Sequence, residues 1–148
     1  MPSPKRREEL LHVFNEVAPI ARTFGMKLAY TDDDRAIITL AYNPALDHAL
    51  GDIHGGVFAT MLDNAGWFTA ALGRNDSCWV ATSELSLHLL RRATATTLRA
   101  EAWYLKRGKR QDVLEMKLTD AAGELVAHAT GTFITLPGVP IAPNLIAR

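Results

Sequence analysis

With one cysteine, Cys78, the chain cannot form an intramolecular disulfide, and a single thiol is too few for a cysteine-based metal cluster. An excess of either charge is also missing, because sixteen Lys and Arg balance sixteen Asp and Glu. A neutral chain has no general attraction for nucleic acid or for an anionic membrane surface, so neither is expected as a partner. No phosphate-binding loop, dinucleotide fingerprint or zinc-helix motif occurs. The opening residues, MPSPKRREELLHVF, lack the continuous apolar stretch of an export signal, which together with the lone thiol points to a cytoplasmic location.

Long hydrophobic runs are scarce as well. The one that exists, Ile53 to Leu72, approaches the roughly twenty residues that span a bilayer. Thr60, Asp63, Asn64, Thr69 and three glycines within it point instead to the buried centre of a globular domain. Asp63 is the only charged residue from Gly55 to Leu72. Leaving a carboxylate unpaired in a dry interior costs several kcal/mol, so such a group is paired, protonated or placed where chemistry uses it. Asp63 is therefore the first candidate for a working residue.

After Pro4, Leu10, Val13, Phe14 and Val17 recur at helical spacing, which predicts a covering helix over about residues 4–20, extending towards Phe24. Two short strands, 26–30 and 36–42, flank the turn-like Thr31-Asp32-Asp33-Asp34, and a loop over 43–53 delivers the chain to a long helix starting near Gly55. From Trp79 to Leu89 the residues alternate, predicting a strand with one inward and one outward face. Further strands are expected at about 96–105, 111–119 and 125–136, joined by hairpin-length connections. No linker or repeat divides the chain, so one domain is expected, with its core over about 24–136 and an irregular tail over 137–148. Strands, a buried helix and an antiparallel meander predict an α+β layer in which a sheet wraps the helix.

That order resembles the hotdog fold. The run His54-Gly55-Gly56-Val57-Phe58-Ala59-Thr60-Met61-Leu62-Asp63 resembles the signature of hotdog acyl-CoA thioesterases of the phenylacetate-pathway type. The resemblance implies that Gly55 N–H polarises the thioester carbonyl and that Asp63 serves as nucleophile or as the base activating water. It also implies a site built across a subunit interface, in a homodimer that pairs into a dimer of dimers, acting on an acyl-CoA or aryl-CoA. No cofactor is expected, coenzyme A entering only as part of the substrate. Helix geometry agrees with a shared site: Gly55 and Asp63, eight residues apart, are separated by about 12 Å along the axis. One subunit therefore cannot bring both to one carbonyl, whereas a two-fold dimer can.

The chain departs from the family pattern at His48, where asparagine or glutamine is usual. An imidazole N–H can contact the carbonyl in their place. Thr82 matches the water-positioning hydroxyl best and Ser83 stands one residue off; strand parity puts the two on opposite faces. His54 enters the list in a supporting role, and Gly56, Asn64 and Trp67 as substrate contacts beside it. Arg91, Arg92, Arg107, Gly108 and Lys109 are candidates for the anionic end of coenzyme A, although charged hairpin tips are usually just solvated. Two other readings share the fold: a non-catalytic acyl-CoA-binding or regulatory module, and an acyl-thioester dehydratase.

Overall fold

A computed structural model describes residues 2–140. The chain begins with helix α1 (Pro4–His12), capped by the Ser3 hydroxyl, which accepts from Arg6 N–H. Its last turns widen into a π-helical segment, Val13–Val17. The expected single helix does not continue: Ala18 is extended, as a residue before proline prefers, and Pro19 starts a separate helix, α2 (Pro19–Phe24). Strands β1 (Met26–Tyr30) and β2 (Ala36–Leu40) form the first hairpin, and Pro44–Leu46 adds a short 3₁₀ turn to the following loop. Then come the long helix α3 (Gly55–Leu72) and strands β3 (Cys78–Leu89), β4 (Leu98–Arg107), β5 (Gln111–Thr119) and β6 (Leu125–Pro137). Of the expected irregular tail, Pro137 belongs to β6, residues 138–140 carry no strand or helix, and 141–148 lie outside the described residues.

Six strands form one antiparallel sheet in the order β1-β2-β4-β5-β6-β3. Helix α3 packs against β2 through β6, so the sheet wraps it, and the arrangement is the hotdog architecture. Alternation explains the strands: in β5 Asp112, Leu114, Met116 and Leu118 are buried while their neighbours are not. Phe58, Met61, Leu62, Ala65, Phe68 and Leu72 turn inward from α3 onto Ile38, Leu98, Leu114, Met116 and Phe133. Gly66 lets helix and sheet approach closely, since a β-carbon there would stand 2.4 Å from Phe133 Cζ.

The two edges of the sheet differ. On β1, the Asn15 amide donates to Leu28 C=O at 3.0 Å and accepts Leu28 N–H at 2.8 Å, so the N-terminal helical segment covers that edge as a strand would. On the other side β3, twelve residues long, has no further strand beside it among the described residues.

Candidate active site

Helix α3 begins where the chain leaves a loop held by backbone pairing of Asp47 with Ile53 and by Ile53 N–H donating to Ala93 C=O at 2.9 Å. His54 is the N-cap: its Nδ1 accepts from Gly56 N–H at 2.8 Å. That contact requires an unprotonated Nδ1, and the missing side chain of Gly56 permits it, because a β-carbon there would lie 2.9 Å from the same nitrogen. Val57 N–H donates to His54 C=O at 2.9 Å. Two of the first orphan donors of the helix are thus used, and Gly55 N–H finds no acceptor among the described residues. An unpaired amide at the positive end of an eighteen-residue helix is an anion-facing donor.

Gly56, Thr60, Asp63 and Trp67 lie on one stripe of α3, and none of them is buried. This stripe faces the open side next to β3. Asp63 Oδ1 accepts from the Thr82 hydroxyl at 2.8 Å, and Oδ2 has no partner among the described residues. Partial burial raises the Asp63 carboxyl above the ordinary aspartate range, and the Thr82 hydrogen bond offsets part of that rise. One turn on, Trp67 Nε1–H donates to Val80 C=O at 2.8 Å and its ring packs on Trp79, with centroids 5.0 Å apart. Asn64 is turned back on its own helix, Nδ2 donating to Thr60 C=O at 2.7 Å.

A β-bulge separates the two hydroxyls. The β3–β6 register slips between Thr82 and Glu84, so Ser83 is the extra residue and its hydroxyl donates to Thr132 C=O at 3.1 Å. Thr82 meets Asp63; Ser83 does not. The bulge also corrects the expected alternation of β3: before it Cys78 and Val80 face inward, after it Leu85 and Leu87 do.

The remaining candidates fall into two groups. His48 sits in the loop before α3, its Nδ1 accepting from Leu50 N–H at 3.1 Å, with Leu50 at the tip 89% exposed. Arg91 and Arg92 follow β3, within 3.1 Å of Glu124 and 3.9 Å of Asp52 respectively. Arg107, Gly108 and Lys109 lie at the opposite end of α3. There the Arg107 guanidinium donates to Gly73 C=O, and Arg74 donates to Gly108 C=O and Lys109 C=O while pairing with the buried Asp112. The structure does not bring this hairpin to Gly55 or Asp63, because it is committed to closing the other helix end. Clefts of about 360 and 400 Å³ occur at that end, whereas a shallow pocket of about 420 Å³ at the helix start has His54, Gly56 and Val57 in its wall. No helix among the described residues is long and apolar enough to cross a membrane.

Sequence reasoning missed one residue at this site. Leu89 Cδ1 would lie 2.9 Å from a β-carbon on Gly55; the alternation puts Leu89 in one row with Leu85 and Leu87 but gives no sign that this row ends against the first residue of the helix.

An unpaired helix-start amide, a raised aspartate on an open stripe and a hydroxyl on the adjacent edge strand thus lie along one side of α3 within a hotdog sheet. The model of the thioesterase superfamily matches residues 50–127, just over half the chain, and the chain belongs to that family of thioester hydrolases. It is 27% identical over 124 residues to a Saccharolobus solfataricus protein provisionally named an esterase, covering 84% of this chain and 88% of that one. Among solved structures, BH2602 of Bacillus halodurans, determined with CoA, is 27% identical with a TM-score of 0.77, covering 90% of this chain and 95% of that one. The phenylacetic acid degradation-related protein of Ralstonia eutropha JMP134 is 26% identical with a TM-score of 0.77, over 87% of this chain and 98% of that one.

Proposed function

We propose that the chain hydrolyses an acyl- or aryl-CoA thioester to the free acid and coenzyme A. The observation that carries this reading is the pairing of an uncommitted Gly55 N–H with an Asp63 carboxylate that keeps one oxygen free. Gly55 N–H holds the carbonyl oxygen as negative charge develops on it. Asp63 Oδ2 either removes a proton from the water that adds to the carbonyl or adds to it directly, forming an anhydride that water then opens; in both routes the thiolate leaves. Thr82 orients the carboxylate. His48 contacts the carbonyl from the loop, and Arg91 and Arg92 meet the phosphate end of coenzyme A. The chemistry needs no cofactor, which fits a single-domain enzyme of the cytoplasm.

Because about 12 Å of helix separates Gly55 from Asp63, the reading requires a second copy that sets its Asp63 stripe against the Gly55 end of the first. Two features support a homodimer: among the described residues β3 is an edge strand without a cover, and the polar stripe of α3 beside it is open. The coenzyme A in the Bacillus halodurans relative supports the choice of thioester.

The test is free-thiol release by wild type and Asp63→Asn from a panel of aryl-, short-, medium- and long-chain acyl-CoA thioesters. Turnover by wild type with a loss of at least about a hundredfold in the variant is expected, the scale of a principal acid-base or nucleophilic group. A folded wild type that hydrolyses nothing, or a variant as active as wild type, sinks the assignment and leaves acyl-CoA binding without turnover as the next reading.

A further inference from the structure

Past the bulge at Ser83, the odd residues of β3 face α3, and Leu85 and Leu87 pack on the core. Leu89 continues the same row but has outrun the helix. None of the described residues covers it, and it remains 55% exposed, although its Cδ1 lies against Gly55. A single exposed leucine normally means nothing. This one stands beside the glycine whose N–H is free to polarise a carbonyl, and its register partner across the sheet is the small Ala127.

We infer that Leu89 determines specificity: its side chain is the apolar wall beside Gly55 N–H and limits the bulk a substrate can carry on the carbon next to the thioester carbonyl. The inference rests on the thioesterase reading above. A carbonyl oxygen accepting from Gly55 N–H at about 2.9 Å brings the carbonyl carbon and its substituents close to the first turn of the helix, the region that Leu89 Cδ1 occupies. Methyl groups offer no hydrogen bond, so what Leu89 reads there is hydrocarbon shape. Held on one side only, the side chain can swing aside for an unbranched acyl chain, but a branched or ring-bearing carbon needs the space it fills. Leu89 is a specificity residue and takes no part in proton transfer.

Two measurements test this. The first is kcat/KM for a pair of acyl-CoA thioesters matched in carbon number, one straight and one branched at the carbon next to the carbonyl, in wild type, Leu89→Ala and Leu89→Phe. The branched-to-straight ratio is expected to rise about tenfold in Leu89→Ala and to fall in Leu89→Phe, the range over which a methylene or two in an apolar pocket discriminates. A ratio within twofold of wild type in both variants, with wild type active, overturns the inference and leaves the thioesterase reading intact. Wild type inactive on every thioester overturns that reading first, before any variant is made. The second measurement needs no turnover: Gly55→Ala should be less favourable to the melting temperature in the wild-type background than in Leu89→Ala, because the added β-carbon meets the Leu89 tip in the first and open space in the second. Additive shifts would show that the two residues do not touch in solution and would also overturn the inference.

Discussion

The two ends of helix α3 are treated in opposite ways. At its C-terminal end the carbonyls are closed off: Tyr30 and Tyr104 hydroxyls donate to Phe68 and Thr69 C=O at 3.1 and 3.0 Å, and Arg6 Nε donates to Ala71 C=O at 2.7 Å. The Arg107 guanidinium takes Gly73 C=O, so cations stand where the helix dipole is negative. At its N-terminal end the His54 imidazole and carbonyl satisfy donors, and Gly55 N–H has no acceptor among the described residues. Side-chain hydrogen bonds to the helix backbone are thus gathered at the C-terminal end. The positive end lies beside an exposed leucine side chain and an open stripe, where the proposed reading brings a substrate and a second subunit.

The largest break in this contrast comes from the closed end. Asp112 is 1% exposed, pairs with Arg74 at 2.6 and 3.1 Å, and accepts Gly108 N–H at 3.1 Å. Asp112→Asn leaves the Arg74 charge, only 12% exposed, without its counter-charge, which costs about 3 kcal/mol. Urea unfolding should show that loss, while kcat per folded molecule stays within about twofold, because the pair touches neither Gly55 nor Asp63. A large fall in kcat at unchanged stability would mean that the two ends are not separate.

The open end sharpens the contrast with a smaller stability effect. His54→Ala removes the side-chain acceptor for Gly56 N–H and should cost about 1 kcal/mol, the usual worth of an N-cap. It also frees a second amide beside Gly55 and loosens the first turn, so kcat/KM is expected to fall by more than the stability loss explains. Equal activity in the two proteins would assign His54 to capping alone.

Which of these features the sequence displayed follows from their physics. Strand β5 was expected at 111–119 and is Gln111–Thr119, because burial on one face writes itself into alternation. The helix start at Gly55 was equally plain, from His-Gly-Gly ahead of an apolar run. The bulge left no such trace: Thr82, Ser83 and Glu84 are polar on both faces, so the parity of β3 could not be followed through them. Arg6 was hidden for a related reason. Within Lys5-Arg6-Arg7 it reads as a solvated charge, yet it is 1% exposed and bonds Ala71 and Cys78 carbonyls. Pro19 was visible and still underread, since the spacing of Leu10, Val13, Phe14 and Val17 outweighed the break it imposes at Ala18. Arg107 to Lys109 could be seen as a basic tip, but only the fold shows that Arg74 and Gly73 hold it at the closed end.

The smallest expected effect has the opposite sign and belongs to Asp63. Burial raises its carboxyl in the folded state, so the native protein holds that proton more tightly than the unfolded chain does. Stability contributed by Asp63 therefore falls as pH rises from the ordinary aspartate range through the raised value, and the whole penalty is present above that value. Asp63→Asn removes the charge and keeps an oxygen for the Thr82 hydroxyl. It should melt higher than wild type at pH 7, by a few degrees at most because the group is only partly buried, and the gain should shrink as pH drops below the raised value. The same titration predicts an acid limb in the rate: hydrolysis declines once Asp63 is protonated, at a pH above that of an ordinary aspartate. Thermal melts of both proteins between pH 4 and about pH 8, set beside the wild-type pH–rate profile, check the pair together, since the midpoint of the rate limb and the pH at which the stability gain fades must coincide if one carboxyl governs both.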